Sequence, residues 1–218
     1  MGPTAPINQL PDNFRFIKAD VKPAQCYEIA IRAAQGVLVH WTADDANYNH
    51  PGLNCPDLLD MVWEEYVGRD PKTILAISTF EDGSNVSEDH RFFFGKKETP
   101  CMAPFGFMNR EWLMGLGGYD RNFICGQSEN DVVMRALADG GRVELLKAAK
   151  VYVHHAQCHG DYPFRNGYNA DRAFLESCWV NADGTISKTR LKAFQPFGDY
   201  EIDTVNQGPA GQWEKALV

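Results

Sequence analysis

The sequence has no Cys-x-x-Cys pair and no apolar run close to the roughly 20 residues that a membrane-spanning helix needs. Its six cysteines are widely spread and follow no signal-peptide pattern, so a disulfide framework is not indicated. Basic residues are outnumbered, with 21 Lys and Arg against 29 Asp and Glu, and the formal net charge of −8 argues against a nucleic-acid surface. We therefore expect a cytoplasmic protein with no transmembrane segment and no nucleic-acid partner.

Internal repeats and low-complexity tracts are also missing. The 218 residues are 44% hydrophobic and 23% charged, which is ordinary usage for a globular chain of one α/β domain. Apolar spacing predicts helices near 24–35, 56–66, 109–114 and 128–137, and strands at 37–42, 73–79, 91–94, 142–146 and 150–154. Segment 100–109 is predicted to be a loop that carries hydrophobic side chains.

Two adjacent acids, Asp44 and Asp45, follow the apolar run 37–42 directly. Acids at a strand end are held on a rigid element beside a loop, and such carboxylates can bind Mg²⁺ or Mn²⁺ that in turn holds a diphosphate. Asp is also a turn former in its own right. On the dipeptide alone, a turn that ends the strand is the simpler interpretation.

A second acidic group, Glu129 and Asp131, stands at the start of the predicted helix 128–137. Ser128 and Asp131 match a capping box, and acids favour a helix N-terminus for electrostatic reasons. The same geometry suits a general base, because an acid fixed at a helix start in a cleft can take a proton from a hydroxyl. Capping is the interpretation favoured by these residues alone.

His154, His155 and His159 are concentrated near Cys158. Histidine is a common ligand for divalent metals, but successive strand residues face opposite sides, so His154 and His155 are not expected to serve one site together. Zinc-type spacing with a second Cys/His pair is missing. Two interpretations therefore remain: one of these histidines binds a metal ion, or the histidines have only a structural role.

The order of these motifs resembles family 2 glycosyltransferases. The resemblance covers roughly residues 14–160 and depends on segments that lie in the same order as in that family: AIRAAQGVLVHWTADD (30–45), GFMNREW (106–112), LGGYDRNF (116–123), SENDVVMR (128–135) and VYVHH (151–155). The resemblance implies a GT-A-like α/β fold, with a mixed sheet flanked by helices. It also implies inverting transfer of a sugar from a nucleoside-diphosphate-sugar donor to an acceptor hydroxyl of a glycan or other molecule.

The resemblance also implies roles for individual residues. Asp45 would be the last acid of a DxD-like motif and bind Mn²⁺ or Mg²⁺, and Asp44 would lie near the donor ribose or the metal. Either Glu129 or Asp131 would be the catalytic base, and either His154 or His155 a further metal ligand. The acceptor side would be formed by Trp112, Gly117, Gly118, Tyr119 and Asp120.

Three departures from the family pattern affect these expectations. Ala43 stands where many members have the first acid, and Ser128-Glu129 stands where a Glu-Asp pair is common. The chain also enters near the third strand of the fold, so we expect an N-terminally truncated, partial GT-A-like domain at 1–160. Residues 161–218 are expected to form a C-terminal extension packed on the same domain.

Two other functions remain open on the sequence. The chain would be a non-catalytic glycan- or partner-binding fragment of the same fold if the donor half is missing. Alternatively it would be another metal-dependent hydrolase, such as a phosphoesterase, with Asp44, Asp45 and the histidines as ligands. An uncovered sheet edge in a partial fold also predicts self-association, for example as a homo-oligomer.

Overall fold

A computed structural model describes residues 21–43, 46–48, 57–81, 90–94, 97–153 and 165–197. Within these ranges the helices are α1 (Pro23–Ala33), α2 (Leu58–Tyr66), α3 (Arg110–Gly115), α4 (Ser128–Ala138) and α5 (Arg165–Trp179). The strands are β1 (Leu38–Trp41), β2 (Ala46–Asn47), β3 (Thr73–Glu81), β4 (Phe93–Phe94), β5 (Lys97–Glu98), β6 (Gly106–Asn109) and β7 (Arg142–Val153). Helices and strands are interspersed along the chain, as the hydrophobic spacing predicts.

Five strands form one mixed sheet in the order β1-β6-β3-β7-β2. Strand β3 pairs parallel to β7, and both β1 and β3 pair antiparallel to β6, so β1, β3 and β7 all point the same way. Their carboxyl ends therefore lie toward one edge of the sheet. Strand β1 ends at Trp41, level with Ala76 of β3 and Leu145 of β7, while β3 and β7 continue beyond it.

Helices cover both faces of this sheet. On one face, α2 supplies Leu58, Val62 and Tyr66 to a core with the sheet side chains. On the other, a larger core joins residues of α1, α3, α4 and α5: Ala24, Ile31, Leu113, Val132, Val133, Leu175, Cys178 and Trp179. The predicted class, an α/β fold with a mixed sheet flanked by helices, is confirmed.

The larger core also takes up residues from beyond position 161. Leu175 and Trp179 of α5 and, further along, Phe197 are buried in it. The predicted domain boundary at 160 stays a prediction, and residues 1–20 and 198–218 lie outside the described residues.

The prediction of a loop at 100–109 was wrong for its second half. Gly106–Asn109 forms β6, an internal strand between β1 and β3. Gly106 is required there because an added Cβ would lie 2.5 Å from the ring of Trp41. The four residues are too few to show an alternating pattern, and both faces of the strand are buried, so periodicity gives no signal.

Strand β7 also differs from the prediction of two strands at 142–146 and 150–154. It is one strand of 12 residues with an irregularity in its pairing with β3. Ile77 of β3 pairs with Leu146, but the next residue, Ser78, pairs with Lys150.

The predicted cap of α3 is confirmed, since the Asn109 side chain accepts the N–H of Trp112 at 2.9 Å.

A tight turn fixes the direction of α4. The N–H groups of Gly140 and Gly141 bond to the carbonyls of Leu137 and Ala136 at 3.1 and 3.0 Å, and Gly140 takes a φ of +82°. β7 begins directly after this turn, and α4 packs against it, so the helix runs antiparallel to the strand. The N-terminal end of α4 is therefore directed toward the carboxyl edge of the sheet.

No helix in the described part of the chain is long and apolar enough to span a membrane.

Candidate functional site

At the carboxyl edge of the sheet, described residues next to two of the sequence motifs are paired with each other. Strand β2 pairs antiparallel with β7 so that Ala46 lies opposite Val153. Asp44 and Asp45 precede Ala46, and His154 and His155 follow Val153. These four residues lie outside the described residues, but the described neighbours of Asp45 and His154 are directly paired. The described residues that adjoin the two motifs are thus neighbours in the sheet.

The chain before Asp44 is fixed by a relay of hydrogen bonds. His40 donates from Nδ1 to the carbonyl of Gly106 at 2.9 Å, so its Nε2 accepts from the Tyr48 hydroxyl at 2.6 Å. That hydroxyl also contacts Thr42 Oγ1, and Tyr27 donates to the Thr42 carbonyl at 2.9 Å. Burial lowers the pKa of His40 to about 4, so the imidazole is neutral at pH 7. The described residues on both sides of Asp44 and Asp45 are therefore anchored at β1.

Asp131, one of the two candidate bases, lies in a buried network of ion pairs. Its Oδ2 accepts from Arg135 Nε at 2.8 Å, and its Oδ1 accepts from Arg190 Nε at 3.0 Å and Trp179 Nε1 at 2.9 Å. The residue has 0% exposed surface. Both carboxylate oxygens are thus engaged, and no part of the group faces solvent.

Asp120 belongs to the same network. It accepts from Arg190 Nη2 at 2.6 Å through one oxygen and from the N–H of Asn122 at 2.8 Å through the other. Arg135 donates to the carbonyls of Leu116 and Gly118 at 2.8 and 2.6 Å. The segment that includes Gly117, Gly118, Tyr119 and Asp120 is therefore tied from within to α4 and to Arg190.

Gly118 is the tightest point of that segment. Its φ is +74°, and an added Cβ would lie 2.3 Å from Oε2 of Glu28, a buried carboxylate of α1. The same oxygen accepts the N–H of Tyr119 at 2.8 Å. Tyr119 and Asp120 are both fully buried, so this segment presents its side chains to the interior.

Glu129 has a different environment, although it lies only two residues before Asp131. It is partly exposed, and Ser128 Oγ lies 3.5 Å from its Oε2. Burial raises the pKa of its carboxyl above the usual range, and the negative charge of Asp171 raises it further, while the N–H groups of Glu129 and Gln127 oppose the rise. Glu129 is the carboxylate of this helix that has both solvent access and a raised pKa.

The predicted capping box at Ser128 and Asp131 was wrong. Gln127 precedes the helix with a left-handed φ of +60°, and neither it nor Ser128 caps α4 with its side chain. Ser128 lies inside the helix and bonds to Glu129, while the carboxylate of Asp131 points into the ion-pair network. Tertiary partners have thus replaced the local motif, because a buried arginine is a stronger partner for a carboxylate than a backbone N–H.

Asp171 on α5 holds the loop before α4 and was missed in the sequence. Its carboxylate accepts the N–H groups of Ile124, Cys125 and Gly126 at 2.8 to 3.0 Å and is almost fully buried. Burial raises its pKa, and the three donors act against that rise. Burial also raises the pKa of the Cys125 thiol to about 12, so this cysteine is not an activated nucleophile. Periodicity gives no sign that Asp171 reaches this loop.

Tyr168, one turn earlier on α5, covers Gly126. An added Cβ on Gly126 would lie 2.8 Å from the tyrosine ring. The hydroxyl accepts from Gln127 Nε2 at 2.7 Å, and Gln127 Oε1 in turn accepts from Asn130 at 3.0 Å. The ring is nevertheless 47% exposed. The sequence gives no signal for Tyr168 beyond its aromatic character.

Trp112 lies away from these residues. It belongs to α3, and its indole N–H donates to Asp139 Oδ2 at 2.9 Å. Its ring would lie 2.3 Å from a Cβ on Gly141, the residue before β7 begins. This is the amino-terminal edge of β7, opposite the edge where Val153 ends the strand. The Trp112 ring is thus held at the amino-terminal edge of β7.

The described residues contain no cluster of three or more His, Cys, Asp or Glu side chains able to hold a metal ion. The predicted ligands Asp45, His154 and His155 are outside that part of the chain. The metal prediction therefore stays a prediction.

Comparison with known proteins gave one kind of match. No family model matches the chain, and no curated protein sequence matches it. Among solved structures, the chain is similar to GalNAc-T7, crystallised with UDP, GalNAc and Mn²⁺, with a TM-score of 0.48 and 14% sequence identity. The similarity covers 78% of this chain and 36% of the GalNAc-T7 chain. The chain thus spans about a third of that protein's length.

Proposed function

We propose that this chain carries the acceptor and metal side of a glycosyltransferase that moves a sugar from a nucleoside-diphosphate-sugar to an acceptor hydroxyl with inversion. One observation carries the proposal: Ala46, which follows Asp45 in the sequence, pairs with Val153, which precedes His154. In open α/β sheets, ligands bind outside the carboxyl ends of the strands. The N-terminal end of α4, with Glu129, is directed toward that same edge.

Asp45 and one of His154 and His155 are the residues that would hold a divalent cation. A carboxylate and an imidazole suit Mn²⁺, and a site with more carboxylate and water ligands suits Mg²⁺. When bound, the cation supplies positive charge that stabilises the diphosphate as it leaves the sugar. Asp44 is assigned to the donor ribose or to the metal.

Glu129 is proposed as the base, in preference to Asp131. The acceptor oxygen forms its bond to the anomeric carbon as the bond from that carbon to the diphosphate breaks, and the acceptor proton passes to the Glu129 carboxylate. A raised pKa brings this carboxylate closer to the pH at which it works, which favours proton transfer. Asp131 is already engaged by Arg135, Arg190 and Trp179, so a proton transferred to it would disrupt three contacts.

The Gly117–Asp120 segment is proposed to support the site from behind. Its side chains are buried, and its carbonyls and carboxylate hold Arg135 and Arg190, which in turn hold Asp131 on α4. An acceptor would reach the backbone of this segment rather than the Tyr119 or Asp120 side chains. Trp112 is not part of the proposed site, because it lies at the opposite edge of β7.

Thermal unfolding with nucleotides tests the donor site. The chain is heated with UDP, GDP, dTDP or CMP, with and without Mn²⁺, because a ligand that binds only the folded state raises the unfolding temperature. We expect one base to stabilise the protein in a Mn²⁺-dependent way. Asp45→Ala should lose this shift, while Asp60→Ala, an exposed acid of α2, should keep it.

The remaining outcomes separate the alternative functions. No stabilisation by any of the four nucleotides would reject the donor site and favour the glycan- or partner-binding fragment. Metal-dependent hydrolysis of p-nitrophenyl phosphate, with no sugar donor present and lost in Asp45→Ala, would favour the phosphoesterase.

A further inference from the structure

Tyr168 combines exposure with an unusual degree of fixation. Its hydroxyl is held by Gln127, its ring packs on Gly126, and one turn along the same helix Asp171 binds the N–H of Gly126 at 2.9 Å. Two contacts, with Gln127 and Gly126, therefore set the position of the ring, and Asp171 ties the same helix to the same loop. Tyr168 is nevertheless 47% exposed.

The loop under Tyr168 also connects it to the proposed base. Gln127 donates from its side chain to the Tyr168 hydroxyl, and its backbone N–H lies against the Glu129 carboxylate. The two side chains are close enough to interact electrostatically, since the charge of Glu129 adds to burial in raising the pKa of Tyr168. Tyr168 and Glu129 thus border the same site.

Gln127 holds a left-handed φ of +60°, which is uncommon for a residue other than glycine. Its side chain is buried and spans from Tyr168 to Asn130. Backbone conformations of this kind cost about 1–3 kcal/mol and are found where a site must be held in one geometry. The strained residue is the one that contacts both Tyr168 and Glu129.

The chemistry left open at this site indicates the class of ligand. The Tyr168 hydroxyl, both polar atoms of Gln127 and the Asn130 amide are already bonded to one another. What remains for a ligand is the exposed part of the tyrosine, with the Glu129 carboxylate and the Arg172 guanidinium close enough to act on it electrostatically. A pyranose ring fits this combination, because its axial C–H groups form an apolar face while its hydroxyls project around the rim.

We propose that Tyr168 is the platform for a carbohydrate acceptor, whose ring packs on the tyrosine face and so presents one hydroxyl to Glu129. The proposal rests on the glycosyltransferase function proposed above. It identifies the acceptor as a sugar ring rather than a small alcohol or a peptide side chain.

Binding of simple glycosides to the full chain tests the platform directly. Saturation-transfer NMR is recorded with the methyl glycosides of glucose, galactose, N-acetylglucosamine and N-acetylgalactosamine, with UDP and Mn²⁺ present and absent. We expect at least one glycoside to bind, with the strongest transfer from its ring C–H protons. Tyr168→Ala should weaken binding by about tenfold, in line with the loss of an aromatic contact, and Tyr168→Phe should change it by less than about threefold.

Two controls keep the test specific. Trp63→Ala removes an equally exposed aromatic residue on α2 and should leave glycoside binding unchanged. Circular dichroism and the nucleotide-induced rise in unfolding temperature should be the same in wild type and Tyr168→Ala. In turnover assays, Tyr168→Ala should raise the KM for acceptor.

The outcomes distinguish this proposal from the proposed function. Glycoside binding that is lost in Tyr168→Ala, in a protein that no nucleotide stabilises, would support the platform and reject the transferase. Nucleotide binding with no glycoside bound, or with equal binding by wild type and Tyr168→Ala, would overturn the platform and leave the transferase intact.

Discussion

Glu129 and Asp131 lie two residues apart on the first turn of α4, but they belong to two different regions of the molecule. Asp131 faces Arg135, Arg190 and Trp179 in the interior and has no exposed surface. Glu129 is partly exposed, and its carboxyl pKa is raised by burial and by the negative charge of Asp171. Two acids from one motif thus have opposite environments. Residues far away in the sequence create the difference, since Trp179 and Arg190 contact Asp131 and Asp171 lies near Glu129.

This comparison indicates a division of labour. A carboxylate that neutralises two buried guanidinium groups stabilises the fold, and removing it leaves uncompensated charge. A carboxylate with a raised pKa is held in a place that disfavours its charge, which is a common property of catalytic acids and bases. The following predictions are ordered from the largest expected effect to the smallest.

Asp131→Asn should destabilise the protein most. The substitution leaves Arg135 and Arg190 buried without their shared carboxylate, which typically costs about 3–5 kcal/mol of unfolding free energy. Urea unfolding measures the loss. The matched control is Glu176→Gln, which breaks the more exposed pair with Arg172 and should cost about 0–1 kcal/mol. A loss below about 1 kcal/mol for Asp131→Asn would show that the network does not depend on this carboxylate.

Gly118→Ala should have the next largest effect. Alanine would have to adopt the left-handed backbone conformation of Gly118, and its methyl group would overlap the Glu28 carboxylate. We therefore expect the unfolding free energy to fall by about 2–3 kcal/mol. Gly184→Ala has nearly the same backbone strain, with a φ of +81°, but its Cβ would meet no atom within 4 Å. It should cost about 1 kcal/mol. Equal losses in the two variants would mean that the contact with Glu28 contributes nothing.

Glu129→Gln should have the smallest effect on stability and the opposite sign. The folded-state pKa of Glu129 is above its unfolded value, so the folded state binds more protons and loses stability as pH rises through the interval between the two values. Glutamine removes this loss. The variant should match wild type near pH 4 and be more stable than wild type at pH 8, because only wild type loses stability over this range.

Activity completes the test of Glu129. Loss of a general base typically lowers turnover by about 10²–10⁴-fold, while the nucleotide-induced stabilisation should remain. Glu129→Gln that is both less stable and fully active would assign Glu129 to the structural group, together with Asp131.

The sequence predicts the parts of this molecule whose signals are local. The alternation of helices with strands, the α3 cap at Asn109 and the start of α4 near Ser128 all follow from spacing and from residue type. The internal strand β6 does not, because four residues buried on both faces carry no period. The sequence at Ser128 and Asp131 suggested helix capping or catalysis. In the structure, Asp131 instead takes part in an ion-pair network with Arg135 and Arg190.

The candidate site was predicted only in part for a related reason. Glu129 was named because acids at helix starts are a recognisable pattern. Asp171 and Tyr168 were not, because they lie about 40 residues further on and reach the loop before α4 only after α5 docks. No local rule links a residue in one helix to three consecutive N–H groups in another part of the chain.

Those three N–H groups have a further consequence. Successive backbone N–H groups that point to one place form an anion-binding nest, of the kind that elsewhere receives a phosphate. Here the nest at Ile124, Cys125 and Gly126 is filled by the protein's own carboxylate. Asp171 is in effect a tethered ligand, present at a high local concentration that free phosphate does not match. Docking of α5 is therefore an intramolecular binding event, and the loop that leads into α4 and Glu129 takes its bound shape whenever that event occurs.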